Sequence, residues 1–412
     1  MKSYFDYKEH VLPNGLNLIT VKKNTNFTSV QIGLKVGALY ETLNEKGLSH
    51  LIEHMLFKGT NKRTNHNIND DLEERAGSYD AYTNYSSTVL AITALKDEFE
   101  NSMELLSDMI MNSTFPKDEL EKEKKVVISE IKSSLDDVEE YSFRKINSIA
   151  FKDHPLRYDI LGTKKNINKF SRKDIIKFYN KYYVPNNCVV SVASPYSHEE
   201  AKAMVEKYFG IWKEGNSIKS PLFAEKNKPT KKISYKDNIS QNTLIFLYTF
   251  HNLTRREELV LETLNYKFGE SANSILFKCL REDNGFSYDV YSEVDTTKSI
   301  KTLCIYTTAS DSDIVDAQKV IEKSITDIKN GTIVFDEKTI NHMKKLVKTS
   351  LLSLVEDCGG LAHFLLTQRI MEHSIESFEE ELKILDEITK EEFLHVANKV
   401  FNNPTIHTLM SK

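Results

Sequence analysis

The chain has 412 residues, 40% of them hydrophobic and 28% charged, with a formal net charge of −5. That length suffices for two or more domains of ordinary size, each with its own core. The mild negative charge gives no basic footprint for nucleic acid, no apolar run reaches membrane-spanning length, and four scattered cysteines without Cys-x-x-Cys spacing argue against a sulfur-bound metal.

The segment Met1 to His10 has neither a signal-peptide apolar core nor the Arg-rich, acid-poor character of a transit peptide, so a bacterial cytoplasmic protein is expected. Leu12-Pro-Asn-Gly-Leu16 predicts a tight hairpin turn, and Val30, Ile32, Leu34 and Val36 alternate as a half-buried strand. Leu48, Leu51, Ile52 and Met55 follow the i, i+3, i+4, i+7 spacing of an amphipathic helix, which Lys58 and Gly59 bring to a close. Residues 88–95 and 187–193 read as further strands, with helical blocks near 97–112, 116–135 and 168–181. The expected class is α+β, a mainly antiparallel sheet with helices packed on one face.

The amphipathic helix carries His50-Leu-Ile-Glu53-His54, two imidazoles one turn apart with a carboxylate between them. Side chains at i and i+4 share a helix face, so both histidines reach one ion while Glu53 stands beside it. Neutral imidazole and carboxylate suit Zn²⁺, and a shell of two His and one carboxylate leaves a position for water. The order His-x-x-Glu-His is the inverzincin order. In the helix beginning after Pro116, Leu120, Val127, Ile131 and Leu135 form an apolar stripe, and Glu123 and Glu130 lie on one flank of it. Spacing alone does not choose Glu130 as the third ligand, since an acidic helix face is most often only solvated.

Gly47-Leu-Ser-His-Leu-Ile-Glu-His-Met-Leu-Phe-Lys-Gly-Thr60 resembles the zinc helix of the pitrilysin/insulinase class of zinc peptidases, in the branch similar to mitochondrial processing peptidase. The similarity continues through Ala76 to Thr83, Glu123 to Glu130, His154 to Thr163, Tyr183 to Asn187 and Leu280 to Tyr288, nearly the whole chain. It implies one zinc ion per chain held by His50, His54 and Glu130, with Glu123 orienting a ligand histidine and Glu53 as general base toward the ion's water. It also implies that Arg281 and Tyr288 donate to a peptide carbonyl, and that Asp80, Ala81, Tyr82 and Thr83 form an edge strand to which a peptide adds through its backbone. Two departures bear on substrate preference: Asp80 stands where the family usually has Asn, and Leu90 where an aromatic is common. The acidic run Asp136-Asp-Val-Glu-Glu140 is either an attractor of basic peptide residues or a solvated helix end.

An internal repeat bears on domain organisation. Ser78-Tyr-Asp-Ala-Tyr82 recurs 209 residues later as Ser287-Tyr-Asp-Val-Tyr291, and at the same offset His50 meets Leu259, His54 meets Thr263 and Glu53 meets Glu262. Two homologous domains are therefore expected, residues 1–214 with the metal and residues 233–412 without it, joined by a polar, lysine-rich linker over 215–232. The resemblance implies that they form half of a clamshell in a homodimer. The expected function is a zinc endopeptidase acting on peptides or unfolded segments that fit a closed chamber; the alternative is a noncatalytic peptide-binding or assembly subunit of a processing-peptidase-like complex.

Overall fold

The computed structural model describes residues 4–412. Strands β1 (Asp6–Val11) and β2 (Asn17–Lys22) pair antiparallel across the expected turn, where Gly15 adopts φ +84° and its amide donates to the Leu12 carbonyl at 2.8 Å. With β3 (Phe27–Leu34), β4 (Ser78–Thr83), β5 (Thr88–Leu95) and β6 (Cys188–Ser194) they make a six-stranded sheet in the order β1-β2-β6-β3-β5-β4. The pairs are antiparallel except β2 with β6, and β4 is left as an edge. A second sheet runs β7-β11-β8-β10-β9, from β7 (Thr230–Lys236), β8 (Asn242–Thr249), β9 (Val290–Asp295), β10 (Thr302–Ala309) and β11 (Thr405–Ser411), with β9 at one edge. The fold is α+β with two such sheets.

Two compact units form, and they do not follow chain order. The first takes the chain up to Ser133, Asp159–Pro221 and Leu352–Ser377; the second takes Ser134–Tyr158, Leu222–Leu351 and Phe378–Lys412. Each sheet therefore has one face covered by helices of its own half of the sequence and the other by a helix from the opposite half. In the first unit Val30, Ile32 and Leu34 point into a core shared with the Leu48–Leu56 and Phe99–Met111 helices. Their neighbours Gln31 and Gly33 meet the Cys358–Ile370 helix instead, and a Cβ on Gly33 would lie 2.6 Å from Ile370 Cδ1. In the second unit Leu244, Phe246 and Tyr248 join the core with the Arg255–Asn265 helix, while Thr243 on the opposite face bonds Ser142 of the Val138–Ala150 helix at 2.7 Å.

This corrects the expectation of helices on one face only. It also explains why β3, expected to be half-buried, is buried on both faces from Thr28 to Leu34. Leu135, placed by periodicity in the apolar stripe, is instead 40% exposed near the end of its helix, whereas Leu120, Val127 and Ile131 are buried as expected.

Candidate metal centre

The Leu48–Leu56 helix starts where the Glu41 carboxylate accepts from the Gly47 amide at 3.0 Å and the Ser49 amide at 2.7 Å, satisfying donors that a helix start leaves open. Burial pushes the Glu41 carboxyl up to about 7, against the pull of those two amides and of Lys46. Gly47 has φ +93°, and a Cβ there would sit 2.6 Å from the Leu161 carbonyl oxygen, so a close turn of backbone sets the helix entry. Leu48, Leu51, Ile52 and Met55 are fully buried, which leaves His50, Glu53 and His54 on the flank turned toward the Lys117–Asp136 helix and β4.

From that second helix Glu130 approaches both imidazoles: its Oε2 lies 4.0 Å from His50 Nε2 and 3.6 Å from His54 Nε2. The two rings stand 4.6 Å apart at 60°. Among the described residues, His50, His54 and Glu130 are the one set of three His, Cys, Asp or Glu side chains whose donor atoms all lie within 4.8 Å of one another. His54 Nδ1 donates to Glu123 Oε2 at 3.1 Å, which leaves Nε2 with its lone pair on the Glu130 side. Lys58 holds the other oxygen of Glu123 at 3.0 Å. Burial opposes charge on Glu123, yet these two hydrogen bonds outweigh it and keep the carboxyl below the usual range.

The donor set fits a divalent ion. Glu130 Oε2, the oxygen that faces both Nε2 atoms, is buried without any hydrogen-bond partner, a costly condition that ligation of an ion relieves. Burial, then the neighbouring His54, lowers His50 to about 4, so its imidazole is the neutral form that ligates metal. Glu53 is 8% exposed; burial raises its carboxyl, partly offset by the Thr83 hydroxyl that donates to it.

The structure thus gathers His50, Glu53, His54, Glu123, Glu130 and Thr83 around one locus. Asp80, Ala81 and Tyr82 lie on the same edge strand, Asp80 exposed and the other two half-buried. Arg281 and Tyr288 belong to the second unit, where the guanidinium lies 4.5 Å from the Tyr288 ring and donates to the Tyr288 carbonyl at 3.1 Å. That unit has no counterpart of the donor set: Leu259 and Thr263, the repeat partners of the histidines, are buried, and the Thr263 hydroxyl donates to the Leu259 carbonyl at 2.7 Å. In the acidic run, Asp137 caps the Val138–Ala150 helix through the Glu140 amide, and Glu139 accepts from the Tyr291 hydroxyl. Sequence reading missed Glu41, and took Lys58 only as the close of the helix and not as the partner of Glu123. Lys58 sits one turn beyond His54, a spacing that could have flagged it.

A His-x-x-Glu-His helix beside a downstream Glu, on a chain of two related sheet domains, defines the inverzincin class of metallopeptidase scaffold. Residues 18–164 match the insulinase family (peptidase family M16) and residues 169–346 match the peptidase M16 inactive domain. An uncharacterized zinc protease of Rickettsia bellii is 33% identical over 296 residues, 71% of this chain and 70% of that protein. Mitochondrial-processing peptidase subunit beta of Saccharomyces cerevisiae is 25% identical over 96% of this chain and 88% of its own length. A protease from Helicobacter pylori of known crystal structure shares the fold with a TM-score of 0.92 at 20% identity, covering 98% of this chain and 99% of that one. This chain belongs to the insulinase family of zinc proteases, peptidase family M16. No helix of the described residues is long and apolar enough to cross a membrane.

Proposed function

We propose that the protein is a zinc-dependent endopeptidase hydrolysing peptides or unfolded segments. The observation that carries this reading is the meeting of His50, His54 and Glu130 with the site-facing Glu130 Oε2 buried and unpaired, and Glu53 adjacent to His54 on the same helix. A zinc ion bound there supplies a Lewis acid toward a peptide carbonyl and toward water. Glu53 takes the proton of the attacking water and returns it to the leaving amine; its burial, which raises the carboxyl toward the working pH, suits both steps. Thr83 fixes that carboxylate, and the free edge of β4 orients an extended peptide by backbone pairing. Glu123 keeps His54 in the tautomer whose Nε2 is free to ligate.

Arg281 and Tyr288 belong to this reading as donors to the substrate carbonyl. What supports them locally is that the Arg281 fork is already ordered on the exposed Tyr288 ring, so little side-chain freedom is lost on binding. Homodimerisation and a cytoplasmic location complete the reading, the latter supported by four cysteines that form no disulfide.

Cleavage of a quenched fluorescent peptide library, with bound zinc quantified, tests the reading. Glu53→Gln should retain the metal and lose turnover by about 10²-fold or more, and Arg281→Ala should impair turnover at equal zinc. Undiminished turnover in Glu53→Gln would place the base elsewhere. Absence of zinc from the wild type would favour the noncatalytic subunit.

A further inference from the structure

On the face of the first sheet away from the Leu48–Leu56 helix, a cavity of about 700 Å³ opens beside the edge strand β4. Ser78, Asp80 and Tyr82 line it from the strand, and Gln31 and Thr93 from the sheet floor. Gly359, Gly360 and His363 close it from the Cys358–Ile370 helix, which arrives from nearly three hundred residues downstream.

Gln31, His363 and Thr93 in this cavity present acceptors, whereas Asn84, whose Oδ1 accepts from the Ser86 and Ser87 amides, keeps its Nδ2 as a donor. Gln31 Nε2 donates to the Gly359 carbonyl at 2.9 Å, so its Oε1 is left to accept from His363 Nδ1 at 3.2 Å. Burial lowers the His363 imidazole against the opposing pull of Asp80, and the neutral ring that donates from Nδ1 keeps Nε2 as a lone pair. The Thr93 hydroxyl spends its proton on Ser29 Oγ at 2.8 Å. Among the described residues no ion pair or hydrogen bond occupies the Asp80 carboxylate. Gly359 keeps the helix start open: a Cβ there would sit 3.3 Å from Thr93 Oγ1 and 3.0 Å from Asp357 Oδ2, the oxygen that caps the helix through the Gly360 amide. Tyr82 packs edge-on against the His363 ring, with centroids 6.0 Å apart, and forms an apolar wall.

A peptide paired to the free edge of β4 alternates its side chains between the two faces of the sheet. One set faces the Glu53 side, as Thr83 does; the other faces this cavity, as Asp80 and Tyr82 do. Asp80 is three strand residues from Thr83, about 10 Å at strand rise, so the cavity serves a peptide position within a few residues of the cleaved bond. We infer that the cavity is a specificity pocket for one cationic peptide side chain, lysine or arginine, with Asp80 as its counter-ion and the Gln31–His363 pair as a positioning element. This rests on the peptidase reading for its position along the substrate, while the pocket itself is a matter of binding alone.

Matched peptides carrying Lys, norleucine or Glu at each position around the cleaved bond test it in two readouts: kcat/KM with wild-type enzyme, and Kd by fluorescence anisotropy with Glu53→Gln. Both should show, at one position, about a tenfold preference for Lys over norleucine. Asp80→Asn should bring that ratio toward one, and Asp80→Lys should shift the preference to Glu. A ratio of one at every position in the wild type overturns the pocket. So does a Lys preference unmoved by both Asp80 variants, which would assign it to other acids such as those at 136–140. Glu53-dependent cleavage without any preference removes the pocket and leaves the peptidase; a Lys preference in Kd without cleavage by the wild type does the reverse.

Discussion

His54 has two polar ring atoms, and the structure commits each one. The Nδ1 side is taken by Glu123, itself held by Lys58, and the Nε2 side faces Glu130. A neutral amide at position 123 cannot hold the imidazole N–H as firmly, and it leaves Lys58 with less to pair against. Glu123→Gln should therefore weaken zinc affinity about 10- to 100-fold, measured by competition with a chelator of known affinity, while folding is retained. Equal affinity would reduce Glu123 to an ordinary partner of Lys58. The residues of the donor set on the histidine helix were legible in the sequence because i, i+4 spacing is a local property of a helix. Glu130 was not, since its nearness to the histidines depends on how two helices pack; only resemblance selected it.

At the level of single elements, caps and turns followed local chemistry closely. The Arg255–Asn265 helix shows how a cap is tied into tertiary structure: Glu257 completes a capping box with Thr254 and also accepts from Lys399 at 2.6 Å. Burial would raise this carboxyl, but Lys399 and the Thr254 amide outweigh it and hold it at about 2, below its ordinary 4.5. The depressed value means that the folded state prefers the charged form. Its stabilisation is thus complete above about pH 4.5 and is lost as pH falls toward 2. Glu257→Gln should cost on the order of 2 kcal/mol at pH 7 and much less at pH 3, checked by urea unfolding at both values. An equal cost at both would show that shape rather than charge is responsible. Strand β3 marks where local reading stopped. Its alternation of Val30, Ile32 and Leu34 with Ser29, Gln31 and Gly33 reads as one apolar and one wet face, yet the polar face is covered by a helix. Small and hydrogen-bonding side chains at 29, 31 and 33 serve close helix packing as well as they serve water.

For the whole molecule, the exchange of helices between halves makes each unit depend on sequence from the other. Residues 352–377 belong to the first unit, and Leu361, Leu365 and Leu366 are buried there, each contributing about 2 kcal/mol. A fragment ending at Pro221 should lack a cooperative urea transition and a native near-ultraviolet circular dichroism spectrum, and adding the 352–377 segment should restore both. A cooperatively folded fragment without it would show that the covering helix is dispensable. By itself the sequence determined what depends on near neighbours: the hairpin turn, the strand at 88–95, the strand read at 187–193 and found at 188–194, the histidine helix, and the repeat that predicts two related sheets. Tertiary structure alone decided which helix covers which sheet face, that the Lys117–Asp136 helix brings Glu130 to the histidines, and that His363 stands beside Asp80 and Tyr82. The physical reason is the same in each case. Periodicity and capping report which side of an element is to be buried, but they carry no information about what buries it when the partner lies hundreds of residues away.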